Sequence, residues 1–182
     1  MTYNVKNLWP VPIYVEDIGI KNDTLKFAES CEYERMENDN GCFTKDKYIL
    51  NSLPSLKNNI YKSCMNYVRD VLLVGENAEF YFQNSWIVRH GKNDYAQEHT
   101  HAGSIISGVY YIDVPKDGGD FYLTKSASHI NTFYPNINFD YSGTDDTTNK
   151  KVKFVTRNGL LILFSSHISH STDETLSTKY RY

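Results

Sequence analysis

Imidazoles that can meet at one point are the groups in this chain best suited to chemistry. His99 and His101 stand two apart in QEHTHAGS. On an extended segment, side chains at i and i+2 share a face, so both rings can converge. His170 follows the apolar run LLILF by a short loop, in FSSHISH. A third imidazole from a neighbouring strand completes what a facial metal site requires. Imidazole suits Fe, Zn, Cu and Ni alike, so ligand type alone does not choose the metal. An isolated H-x-H on a solvated strand end usually binds nothing, and the meaning of this pair rests on the elements around it. His167 has a loop offset from the LLILF run and reads as exposed or as a supporting residue. His90 falls in a turn and His129 in a long polar segment, and both read as solvated.

The elements that must position these rings follow from periodicity. Residues 8–18 (LWPVPIYVEDI) carry two prolines and read as an edge strand or extended arm, since proline cannot donate to a central ladder. Residues 23–37 read as a helix capped by Asp23, and residues 37–47 (ENDNGCFTKDK) as loop. A stronger helix is expected over residues 53–73, where Leu56, Ile60, Cys64, Val68, Val71 and Leu72 recur at steps of three and four. Pro54 is tolerated in its first turn and Gly75 stops it. After Asn77 the period falls to two, predicting strands over residues 80–88, 104–114, from Asp120 through FYL, 152–156 and 160–164. The segments HGKND, PKDGGD and RNG supply turns. Asp113 and Asp120 read as solvated turn residues, and Trp86 as core. Two helices followed by short strands predict a mainly β sandwich or barrel with flanking helices. Residues 125–150 are polar yet carry Phe133, Tyr134, Phe139 and Tyr141; a loop of that length in a compact domain is usually functional or disordered.

Composition narrows the function classes. The 182 residues fit a single domain, 1–182, with an arm and buttressing helices over 1–76 and a β core over 77–182. A net charge of -3 without a clustered excess of Lys and Arg argues against nucleic acid. No apolar stretch approaches the ~20 residues needed to span a bilayer, and the first residues do not read as a signal peptide. Cys31, Cys42 and Cys64 are odd in number and lack zinc-type spacing, which fits reduced thiols in a cytoplasmic protein.

Taken in order, W-x-V, H-x-H, SGVYYIDVP, DGGDFYL, NGLLILFSSHISH and KYRY form a more specific pattern than any single piece. The pattern resembles the Fe(II)- and 2-oxoglutarate-dependent oxygenases, in particular their prolyl-hydroxylase-like branch. It looks closer still to a small group of uncharacterised 2-oxoglutarate oxygenase-like proteins of bacteria and marine phages. The resemblance spans residues 80–182 well and 8–18 weakly. It implies a double-stranded β-helix (jelly roll, cupin-like) with His99 as first and His170 as distal ligand of Fe(II). His101 falls where most relatives carry Asp or Glu; a neutral ligand there leaves the iron one more net positive charge, which weakens metal retention and favours an anionic cosubstrate. Tyr111 matches a tyrosine that hydrogen-bonds the distal carboxylate of 2-oxoglutarate. Arg181 matches that carboxylate's charged partner, with Lys179 as the competing register on the same face of a last strand. Asn84 is a further candidate for a cosubstrate hydrogen bond, and the aromatic segment 125–150 for a substrate lid.

The implied reaction consumes O2, decarboxylates 2-oxoglutarate to succinate and hydroxylates a small-molecule or peptide substrate that the residues do not name. Two other readings remain at this level. One is a three-His cupin-type dioxygenase that uses no 2-oxoglutarate. The other is a non-enzymatic jelly-roll binding or structural module.

Overall fold

The computed structural model describes residues 4, 10–21, 23–36, 40–125 and 149–182. In chain order the elements are β1 (Tyr14–Asp17), α1 (Thr24–Ser30), β2 (Tyr33–Arg35), β3 (Cys42–Thr44), a 3-10 turn (Ile49–Ser52), α2 (Pro54–Asn66), a π-helical turn (Tyr67–Val71), β4 (Val88–Arg89), β5 (Ile106–Tyr110), β6 (Phe121–Thr124), β7 (Lys151–Phe154), β8 (Leu160–Ser165) and β9 (Ser169–Thr172).

The unbroken apolar run LLILF becomes β8, the centre of an antiparallel sheet ordered β1-β8-β5. Its residues are apolar on both faces because both are covered. Leu160, Ile162 and Phe164 point inward, against Phe121 and Leu123 of β6 and against Tyr111 and Ile168. Leu161 and Leu163 point outward, under Tyr67, with Ile60 and Cys64 of α2 alongside. The apolar stripe of α2 therefore packs on the back of this sheet. Facing the inner side is a second antiparallel sheet, β7-β6-β9, in which Phe121 opposes Thr172 and Leu123 opposes His170. Two antiparallel sheets closed over one apolar interior form the expected jelly roll.

The turn RNG stitches the sheets' ends together. Asn158 accepts from the Val114 amide at 2.6 Å and donates to Asp113 at 3.0 Å. Gly159 adopts φ +85°, and a Cβ there would lie 2.9 Å from Asp17 Oδ1 and 3.0 Å from a backbone carbon of Gly19. Gly159→Ala is expected to lower unfolding stability by about 2 kcal/mol in a denaturant titration; an unchanged midpoint would mean the turn is not held in its left-handed conformation.

Several elements differ from expectation. The first helix stops at Ser30, after which β2 and β3 form a hairpin that pairs onward with β4. Tyr33 secures the break by donating its hydroxyl to the Ala28 carbonyl at 2.7 Å. The expected edge strand is present as β1, whereas β2 and β3 fall in segments expected as helix and loop and form a third sheet with β4. The alternating residues 80–84 form no strand. Tyr81 is 86% exposed, so one face of the alternation has nothing to pack on. Asp113 and Asp120 are not simply solvated: Asp120 pairs with Lys153 at 2.8 Å and accepts from the Thr156 amide at 3.0 Å. Leu8 and Trp9 of the expected arm, His129 and most of the segment 125–150 lie outside the described residues.

Candidate metal and cosubstrate site

The H-x-H segment is brought to β9 by backbone pairing. The His99 amide donates to the His170 carbonyl at 3.0 Å, and the His170 amide returns a bond to His99 at 2.9 Å. The His101 amide donates to the Ser166 carbonyl at 3.1 Å. Glu98, immediately before His99, ties the segment to three strands. It pairs with Lys151 and accepts hydroxyl bonds from Thr124 and Ser169.

The result is a compact imidazole cluster. The ring centroids lie 5.0 Å apart for His99 and His101, 4.2 Å for His99 and His170, and 4.9 Å for His101 and His170. One ligand atom from each falls within 4.8 Å of the others, close enough for a single ion to draw them together. Nδ1 of His99 bonds the Gln97 carbonyl at 2.7 Å, and Nδ1 of His170 the Ile168 carbonyl at 3.2 Å. A carbonyl only accepts, so Nδ1 carries the proton and Nε2 presents its lone pair. Burial, then the neighbouring His99, pushes His170 down to about 4, and the same two causes lower His101. Both rings are therefore neutral at neutral pH, the form that ligates a metal. Trp86 meets His101 edge-on at 5.8 Å, and Phe164 and Phe121 flank His170. Three imidazoles suit Fe(II), and they bring no carboxylate to offset its charge.

Two residues along β9 from His170, a second set of groups surrounds Arg181. Arg181 is 3% exposed. Its Nη1 donates to the carbonyls of Gly118 at 2.8 Å and Gly119 at 3.0 Å. Its Nη2 donates to Thr172 Oγ1 at 3.1 Å and to His90 Nδ1. The G-G turn thus serves as a clamp on the cation. A Cβ on Gly119 would stand 3.2 Å from Nη1 and 2.9 Å from the Asp173 carbonyl. Burial lowers the guanidinium's pKa, opposed by Tyr111, Asp173 and Asp120. The Tyr111 hydroxyl is buried and has no hydrogen-bond partner. Burial moves this phenol far upward, and the positive charge of Arg181 draws it back. Thr172 Oγ1 also accepts from the Ala96 amide at 2.9 Å, which leaves its own hydrogen to donate. A buried cation with two unspent hydroxyl donors beside it fits a carboxylate.

The other sequence candidates fall elsewhere. Lys179 is exposed in a bend, whereas Arg181 is buried in a single bridge to His90. The two do not share a strand face, because residues 173–180 form no strand. Asn84 is exposed and lines a surface cavity with Tyr48, Lys57, Tyr61 and Phe82, a lining that includes neither the imidazoles nor Arg181. His167 is exposed in the β8–β9 turn, its ring bonded to Ser165 at 2.7 Å. His90, expected in a solvated turn, is 3% exposed and lies against Arg181. Thr172 was legible in principle, as it shares a strand face with His170; nothing local marks His90.

Solved structures share this fold. The chain is similar to an oxidoreductase of the 2OG-Fe(II) oxygenase family from Burkholderia pseudomallei, at 16% identity and TM-score 0.56, covering 87% of this chain and 71% of that one. HygX from Streptomyces hygroscopicus, solved with nickel and 2-oxoglutarate bound, is similar at 13% identity and TM-score 0.61, covering 94% and 80%. A Pseudomonas putida prolyl-4-hydroxylase is similar at 10% identity and TM-score 0.54, covering 94% and 88%. No curated protein matches the sequence. Residues 84–182, more than half of the chain, match the family described as "Putative 2OG-Fe(II) oxygenase", and the protein belongs to that family. It is an Fe(II)- and 2-oxoglutarate-dependent oxygenase. Among the described residues, no helix is long and apolar enough to cross a membrane.

Proposed function

We propose that the protein hydroxylates a substrate at an Fe(II) centre held by His99, His101 and His170, with 2-oxoglutarate bound between that centre and Arg181. The observation that carries this reading is the unpartnered, buried Tyr111 hydroxyl beside a buried Arg181. Such a donor costs free energy unless a ligand accepts from it. His170 and Thr172 share a face of β9, about 6.8 Å apart along the strand. That spacing suits a five-carbon dicarboxylate with its 2-oxo acid end at the imidazoles and its distal carboxylate at Thr172, Arg181 and Tyr111.

The chain's own residues position and charge the site. His99 and His170 keep their Nε2 lone pairs forward because Nδ1 is committed to backbone carbonyls. His101 in place of a carboxylate leaves the centre more positive, which strengthens its hold on an anionic cosubstrate. Phe121, Phe164 and Leu123 form an apolar wall behind His170 that excludes water. Bound Fe(II) supplies the redox chemistry: O2 and 2-oxoglutarate yield succinate and CO2, and one oxygen atom enters a substrate C–H bond as hydroxyl. The three thiols Cys31, Cys42 and Cys64 are all free, consistent with a reducing compartment such as the cytoplasm.

The test is release of CO2 from carboxyl-labelled 2-oxoglutarate by iron-loaded protein. Release that requires both Fe(II) and O2, matched by succinate, is expected. Iron retained with no release would favour a three-His dioxygenase that does not use 2-oxoglutarate.

A further inference from the structure

We propose that His90 is a positioning residue for cosubstrate binding, acting through Arg181; this rests on the reading of Arg181 as partner of the distal carboxylate. His90 and Arg181 form an isolated antiparallel bridge, with amide-to-carbonyl bonds of 3.0 and 2.9 Å in the two directions. Their side chains bond as well, Nη2 to Nδ1. A guanidinium has donors only. His90 Nδ1 therefore accepts, and the ring proton sits on Nε2. That Nε2 is buried without a partner. The imidazole gives up one hydrogen bond in order to present an acceptor to the cation, a choice that packing alone does not explain.

The ring is also held in place. A Cβ on Gly41 would lie 2.5 Å from His90 Cδ2 and 2.9 Å from Nε2, so the β2–β3 hairpin presses bare backbone against its edge. With Gly118, Gly119 and Thr172 on the other three Nη hydrogens, His90 completes four contacts that fix the guanidinium plane. A carboxylate drawn to a buried cation already fixed in this way gains affinity, since the ordering entropy is spent before the ligand arrives. Burial, then the positive charge of Arg181, pushes His90 down to about 3, which keeps the ring neutral beside the cation.

The experiment compares anaerobic binding of 2-oxoglutarate and of 2-oxopentanoate, which lacks the distal carboxylate, to the Fe(II)-loaded protein. Wild type should prefer 2-oxoglutarate. His90→Leu should weaken 2-oxoglutarate binding about tenfold and leave 2-oxopentanoate unchanged. His90→Asn, whose Oδ1 restores an acceptor near the Nδ1 position, should recover most of the loss. Gly41→Ala, which displaces the ring without removing it, should act like His90→Leu and carries the test if that variant fails to fold. In metal-free wild type, the 15N spectrum of His90 should show a bare Nδ1 and a protonated Nε2. Equal weakening of both ligands would overturn the proposal, as would unaltered 2-oxoglutarate affinity in His90→Leu. No preference for 2-oxoglutarate in wild type would remove the Arg181 reading itself, and the proposal with it.

Discussion

His170→Ala is expected to strip the protein of its iron, lowering Fe(II) affinity by at least ~100-fold. The expectation follows from where the ring sits. His170 is 7% exposed, and its backbone pairs in both directions with His99. The metal-facing lone pair is set by the Nδ1 bond to Ile168. Losing the ring leaves two imidazoles on one segment, with no ligand from the opposing strand. The imidazole ligands bring no carboxylate whose charge could hold the ion in compensation. His167, three residues earlier, does not substitute, because it is exposed in the turn. Metal content after anaerobic dialysis checks this; an ion still bound at one per chain would place the centre elsewhere.

The second large effect is expected at the other end of the cosubstrate. Arg181→Met should weaken 2-oxoglutarate by ~100-fold or more while iron affinity changes only a few-fold. The charge is buried, so its attraction for a carboxylate is less screened than at a surface. The variant also leaves the Gly118 and Gly119 carbonyls, Thr172 and His90 Nδ1 without their donor. Unpaired acceptors of that kind cost about 1–3 kcal/mol each, so a lower melting temperature should accompany the binding defect. Arg181→Lys keeps the charge and loses the fork, and should fall between the two. Iron and 2-oxoglutarate measured separately by calorimetry separate the roles. A parallel loss of both would mean that Arg181 supports the fold and not the carboxylate.

These predictions draw on parts of the molecule that were unequally legible in the sequence. The run LLILF announced a strand, and the i, i+2 spacing of His99 and His101 announced a shared direction. The DGGD turn was visible as a turn, but its service as two carbonyl acceptors for Arg181 was not, because that depends on a cation 62 and 63 residues away. The three-residue strands β2 and β3 are too short to carry a period, and their pairing with each other and with β4 defines them. Alternation misled twice. Residues 80–84 alternate without a sheet to receive them, and Lys179 and Arg181 were given one face on the assumption of a strand that residues 173–180 do not form. His90 carried no local signal, since its burial comes from Gly41 and Arg181, both distant in sequence.

The central claim is that one site holds both the metal and 2-oxoglutarate, and anaerobic titration of the Fe(II)-loaded protein with 2-oxoglutarate tests it most directly. A weak visible charge-transfer band that saturates at one equivalent in wild type, and is absent in His170→Ala, is the predicted result. Iron firmly bound with no band at saturating 2-oxoglutarate would contradict it.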